Sequence, residues 1–214
     1  DRQLKIKKFG VNIESRSKKN RVTHNPKVLF PVIMKVPHSE RQPRGKKQVQ
    51  TLSRLARQAA RISTEKSGVE ISEFSKNKDG VPIPTNGIYW SISHKSRYVG
   101  GVVSTEPVGI DIERVRPVKN RVMEKIASEG EWALAGGEAL EAFFRFWTAK
   151  EAVLKATGAG FTGLSNCRIV QIDDDEHLIA KYAEKRFIIH QTWCAKDYIA
   201  AVTATERLVR WVFV

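Results

Sequence analysis

A chain of 214 residues with 41% hydrophobic and 28% charged side chains can bury one large core or two small ones, and it is too ordinary in composition for a fibrous or disordered protein. Its apolar runs fall well short of the roughly eighteen residues that cross a bilayer, and no basic-apolar-small leader opens it, so no membrane span is expected. Cys167 and Cys194 make no disulfide framework, which suits reduced thiols in the cytoplasm, while a net charge of +14 points to acidic partners.

That charge is unevenly placed. Residues 1–67 hold 18 Lys and Arg against 4 Asp and Glu, whereas the remaining 147 residues hold 19 of each. Strands are predicted at Val11–Ile13 and Val28–Met34, with basic loops at Ser15–Arg21 and Pro43–Lys47. An amphipathic helix follows near residues 48–62, carrying Arg54. Lys76 and Lys78 sit in the loop Ser75–Gly80. The alternating run Ile88–Ser93 predicts a strand that ends at His94, turns through Lys95–Arg97, and returns as a strand over Tyr98–Ser104. A boundary between two units is expected near residue 107, giving 1–107 and 108–214. A start residue is expected to precede Asp1.

In Val108–Glu113, apolar Val108, Ile110 and Ile112 alternate with Gly109, Asp111 and Glu113, the period of a half-buried strand. Asp111 and Glu113 therefore share a face. Side-by-side carboxylates repel, so either this face is solvated or a cation or a basic partner lies between them, and oxygen ligands alone favour a hard ion such as Mg2+. Glu138–Ala156 lacks Pro and Gly and is followed by Gly158 and Gly160, which predicts a helix and its stop. Trp147, Glu151 and Lys155 fall at successive fourth positions, one stripe of that helix. Taken alone, Glu151 and Lys155 could be an ordinary helical ion pair.

Beyond Gly163 the pattern turns to strands at Cys167–Ile172, Leu178–Tyr182, Phe187–Trp193, Tyr198–Thr203 and Leu208–Phe213. Asp173–Glu176 reads as a solvated turn rather than a metal loop. Glu131 reads as a solvated side chain. The other histidines and the two cysteines lack zinc-ligand spacing.

Three ordered motifs, Trp90-Ser-Ile-Ser-His94, Gly109-x-Asp111-x-Glu113 and Trp147-x-x-Lys150-Glu151-Ala152-x-x-Lys155, resemble the signature of the Sfp-type 4'-phosphopantetheinyl transferases. The resemblance covers residues 80–165 well and the ends poorly. It implies an α+β fold of two similar α/β subdomains, a pseudo-dimer in which each half packs a helix on a mainly antiparallel sheet, usually as a monomer. It further implies transfer of the phosphopantetheine arm of coenzyme A to a serine of an acidic acyl or peptidyl carrier protein, with release of adenosine 3',5'-bisphosphate. On this resemblance Asp111, Glu113 and Glu151 hold Mg2+. Glu151, or a metal-bound water, takes the serine proton, and Lys155 contacts a phosphate. Ser93 and His94 are implied to hold coenzyme A phosphates, and Glu131 resembles a further acidic position near the metal.

Ser53 stands where the family helix has glycine, with Arg54 matching its arginine. Lys46, Lys47 and Lys76 are expected contacts for the 3'-phosphate. The sequence departs from the pattern at Val81, where a basic residue is usual, and Lys76 or Lys78 is expected to substitute. A rival reading, a basic nucleic-acid-binding protein, accounts for the charge but not for the paired carboxylates, which would repel a phosphate backbone.

Overall fold

The computed structural model describes residues 28–41, 44–204 and 208–214. The strand expected at Val11–Ile13 and the loop at Ser15–Arg21 lie outside them. The α+β class expected from the sequence is what the chain adopts. Val28–Met34 forms as two short strands, β1 (Val28–Leu29) and β2 (Val32–Lys35), because Pro31 has no N–H to continue a ladder. A long helix, α1 (Lys46–Ser67), follows and ends on Gly68 in the left-handed conformation. It outruns the predicted 48–62 at both ends.

The hairpin β3 (Tyr89–His94) and β4 (Tyr98–Ser104) completes the first half, and β5 (Ile110–Arg114) opens the second. Short helices α2 (Asn120–Ile126) and α3 (Glu129–Trp132) lead to α4 (Ala139–Thr157), which stops at left-handed Gly158. The strands β6 (Arg168–Ile172), β7 (His177–Tyr182), β8 (Lys185–Ala195) and β9 (Tyr198–Ala204) form an antiparallel sheet in the order β5-β9-β8-β7-β6. The strand expected over Leu208–Phe213 is again two pieces, β10 (Leu208–Val209) and β11 (Val212–Phe213).

These last pieces do not join the second sheet. They run parallel to β1 and β2, so the first sheet has the order β11-β2-β4-β3. Backbone bonds from Val212 N–H to Pro31 O and from Lys35 N–H to Val214 O, both 2.9 Å, hold the chain end there. The edge of β2 is thereby covered.

Three apolar clusters follow from this topology. Leu52, Leu55, Ala56, Ala59 and Ala60 of α1 pack on β2, β3 and β4. Phe143, Phe146, Ala149, Ala152 and Val153 of α4 pack on β6 to β9. A third core lies between the sheets, where Val108, Ile110 and Ile112 meet Leu29, Ile33, Val102, Tyr198 and Val202.

Glycine marks both places where a helix crosses its sheet. A Cβ on Gly101 would lie 2.3 Å from Ala60 N of α1, and one on Gly109 would lie 1.9 Å from Ala152 O of α4. Both distances are far inside van der Waals contact, so only a glycine lets the helix come this close. Gly109 is further pinned to β9, its N–H donating to Thr203 Oγ1 at 2.9 Å and its carbonyl accepting from Thr203 N–H at 3.0 Å. Gly109→Ala should force α4 off β5 and cost roughly 2–3 kcal/mol of stability, as overpacking against backbone does. Urea unfolding checks this, and a loss below 0.5 kcal/mol (about the noise of a surface change) would contradict the contact.

Candidate active site

Strand alternation sends Val108, Ile110 and Ile112 into the core between the sheets, and it turns Asp111 and Glu113 to the side on which α4 lies. Because α4 rests on Gly109, the stripe of Trp147, Glu151 and Lys155 comes down over those carboxylates. Lys155 Nζ donates to Asp111 Oδ1 at 2.6 Å and to the carbonyl of Ile110 at 3.1 Å. Trp147 Nε1 donates to Glu113 Oε1 at 3.1 Å, its ring lying 5.8 Å from those of Phe143 and Phe161.

Two serines of β3, at the edge of the first sheet, close the site from the other side. Edge strands β3 and β5 share no backbone ladder, yet Ser91 Oγ accepts from Ile110 N–H and Ser93 Oγ from Ile112 N–H, each at 3.2 Å. Serines at alternate positions thus supply acceptors that a neighbouring strand's carbonyls would otherwise provide. Ser93 Oγ–H in turn donates a hydrogen bond to Asp111 Oδ1 at 2.8 Å. The hydroxyl that the sequence assigned to coenzyme A is engaged on both sides by β5.

The carboxylates are under electrostatic load. Burial, then the neighbouring Asp111 charge, push the Glu113 carboxyl above its usual range, with Lys95 and Lys155 pulling the other way. Glu151 is raised by burial and then by Asp111, against the pull of Lys155. Asp111 is only 4% exposed. Its Oδ2 and Glu151 Oε1 are buried with no hydrogen-bond partner. A buried acceptor left unmade costs about 1–3 kcal/mol, more when charged, so these two oxygens are candidates to receive a cation or a donated proton.

The donor set suits a hard divalent ion, all of it carboxylate oxygen. Among the described residues no three Asp, Glu, His or Cys side chains are yet closed around one point. The carboxylates are neighbours with two lysines standing among them, since Lys95 Nζ also lies 2.7 Å from Glu113 Oε1.

Beside Glu151 opens a cleft of about 210 Å³ lined by Lys76, Asp79, Val81, Glu151, Lys155 and Phe161, among others. Its mouth is basic. Burial, then Arg57 and Lys155, lower the Lys76 pKa. His94 is lowered by burial and then by Lys155, Lys95 and Lys76, so its imidazole faces positive charge.

The other basic residues singled out in the sequence lie elsewhere. Arg54 is 2.6 Å from Glu40 on the surface of α1, Lys46 and Lys47 are exposed on the first turn of that helix, and Lys78 is exposed in its loop. None of them lines the cleft.

Glu131 is not solvated. It is 6% exposed, closes a capping box with Ser128 at the start of α3, and accepts from Ile169 N–H at 2.8 Å and from Lys150 Nζ at 2.6 Å. Burial alone would raise its pKa, but the donors Lys150, Ser128 and Ile169 outweigh that and lower it. Lys150 is 2% exposed and also donates to Ile126 O at 2.6 Å. The reading as a surface acid missed this because the partner lies nineteen positions away on α4. Lys95, Lys150 and Ser91 carried no assignment in the sequence. For Ser91 a signal existed, its alternation with Ser93.

Residues 107–203 match the model of the 4'-phosphopantetheinyl transferase superfamily. Among its relatives, 4'-phosphopantetheinyl transferase gsp of Aneurinibacillus migulanus is 36% identical over 91 residues, 41% of this chain and 38% of the relative. 4'-Phosphopantetheinyl transferase psf-1 of Bacillus pumilus is 35% identical over 100 residues, 44% and 43% of the two chains. 4'-Phosphopantetheinyl transferase Sfp of Bacillus subtilis (strain 168) is 28% identical over 102 residues, 46% and 45%. The resemblance to the Sfp-type family expected from the motifs is thereby borne out over this part of the chain. The chain spans less than half the length of these three relatives.

Three outcomes follow from the buried groups. Lys150→Met should cost roughly 3 kcal/mol by stranding the Glu131 charge, and adding Glu131→Gln should recover part of that loss. Simple addition of the two single losses in urea titrations would refute the coupling. Because the folded Glu131 pKa lies below its unfolded value, this support holds above about pH 4.3 and fades as pH falls through the lowered value. Burial pushes the Cys167 and Cys194 thiols up to about 12. An aromatic disulfide reagent at pH 8 should therefore label neither until the protein is unfolded.

Proposed function

We propose that this chain transfers the 4'-phosphopantetheine arm of coenzyme A to a serine of an acyl or peptidyl carrier protein, releasing adenosine 3',5'-bisphosphate. The observation that carries this reading is the meeting of Asp111, Glu113, Glu151 and Lys155 from a strand and a distant helix, with Asp111 Oδ2 and Glu151 Oε1 buried and unpartnered. The sequence relationship of residues 107–203 supports it.

The reaction forms a bond from the serine oxygen to phosphorus and breaks the bridging P–O bond, so negative charge gathers on the leaving phosphate. Asp111, Glu113 and Glu151 are assigned to Mg2+, which when bound supplies Lewis-acid polarisation of the diphosphate. Lys155, fixed by Ile110 O and Asp111, offers its ammonium at the mouth of the cleft where phosphate oxygens arrive. Lys76, which lines the same cleft, is assigned to a second phosphate group in place of the basic residue absent at Val81. Glu151, which lines the cleft, is assigned to the serine proton, although as a ligand of a cation it would be a weaker base than it is without one. Ser93 is assigned to hold Asp111 in position, and His94 to donate to a phosphate.

The two halves repeat one design, a long helix crossing a mainly antiparallel sheet at a glycine, and this supports two similar subdomains divided near residue 107, the last strands returning to the first. All the assigned residues come from one chain, which suits a monomer. No helix among the described residues is long and apolar enough to cross a membrane. A cytoplasmic location is proposed from the substrate pool and the two free thiols.

Incubation with coenzyme A, Mg2+ and apo carrier proteins, followed by intact-mass measurement, should show the carrier heavier by one phosphopantetheine. Chelator should abolish the gain. Asp111→Ala and Glu151→Ala should slow it by about 10²-fold or more, and Lys155→Met by a similar factor. Wild type and Glu151→Ala that leave a broad panel of carriers equally unmodified would remove the proposal.

A further inference from the structure

Lys95 opens the turn between β3 and β4, its backbone fixed by a bond from its N–H to Tyr98 O at 2.8 Å. The side chain leans across to the second half and places Nζ 2.7 Å from Glu113 Oε1, pairing a lysine 37% exposed with a glutamate 14% exposed. Lys155 differs from it in a telling way. Its ammonium is held at two points, Ile110 O and Asp111 Oδ1, and it is less exposed, at 29%.

Of the two ammonium groups lodged among the three carboxylates, Lys95 is thus the one that can leave into solvent on a flexible stem. Its departure does not free Glu113 to swing away, because Trp147 Nε1 binds the same oxygen. A dication at Glu113 and an ammonium within hydrogen-bond distance of the same oxygen repel each other, and the 14% exposure of Glu113 limits the screening on its side. The two occupancies exclude each other.

We infer that Lys95 is a resident counter-ion of Glu113, which a divalent cation must displace and which therefore sets the cation affinity of the site. It neutralises part of the carboxylate cluster before loading and makes loading a replacement of one positive charge by another. The inference rests on the assignment of Asp111, Glu113 and Glu151 as cation ligands. The sign of its effect separates it from a structural role: a lysine that merely braced the β3–β4 turn would, on removal, leave cation binding unchanged or weaken it.

Titration of the full chain with Mn2+, followed by the electron paramagnetic resonance signal of the free ion at near-physiological ionic strength, reads the affinity without any turnover. Lys95→Met, which keeps the stem and removes the charge, should bind Mn2+ on the order of threefold more tightly or better. Lys95→Gln should move in the same direction. Lys95→Arg should stay near wild type, as should Lys181→Met, which removes an exposed partner of Glu184 on β7 and controls for net charge. Unchanged or weaker Mn2+ binding in Lys95→Met, with wild type binding saturably, overturns the inference and leaves the ligand assignment standing. Absence of saturable binding in wild type and Lys95→Met alike overturns both.

Discussion

The site depends on one close approach, that of α4 to β5 at Gly109. Without a side chain at that position the helix backbone comes near enough for Glu151 and Lys155 to stand over Asp111, which lies two residues further along the strand. Any larger residue would lift the helix and separate carboxylates that the sequence holds 40 positions apart. The chemistry is thus built by a packing contact before any charge is considered. The Ala149, Ala152 and Val153 side of the same helix secures the approach by burial in the second core.

Charge is then arranged in two layers. Beneath the site, Lys150 and Glu131 form a buried pair whose remaining valences are taken by Ile126 O, Ile169 N–H and the Ser128 cap, so it ties α4 to α3, to the end of α2 and to β6. Such a pair contributes less to net stability than to holding one arrangement, since desolvation offsets much of its attraction. Above it, Asp111, Glu113 and Glu151 face Lys155 and Lys95 with two oxygens left over. Adjacent residues Lys150 and Glu151 therefore serve opposite ends: one is sealed into the fold and the other is turned to the cleft.

Much of this was legible in the residues. Period-2 alternation around Asp111 and Glu113 and the fourth-residue stripe on α4 are local signals, and both elements form as read. The long-range partners were not legible, because pairing across many residues leaves no mark in local periodicity. That is why Lys95 looked like a turn residue, Glu131 like a surface acid, and the last strands like part of the second sheet instead of the cover on β2. The direction of the basic residues of α1 was not legible for a related reason: charge in the sequence says how much is present but not which way it faces, and Arg54 faces Glu40.

The most direct test of the account is a crystal structure of the full chain grown with Mn2+ and coenzyme A, read by anomalous difference density. The account predicts one strong peak touched together by carboxylate oxygens of Asp111, Glu113 and Glu151, with the diphosphate against Lys155. A peak bound elsewhere, or Asp111 and Glu151 each facing away from any shared ion with their buried oxygens satisfied by protein donors, would contradict it.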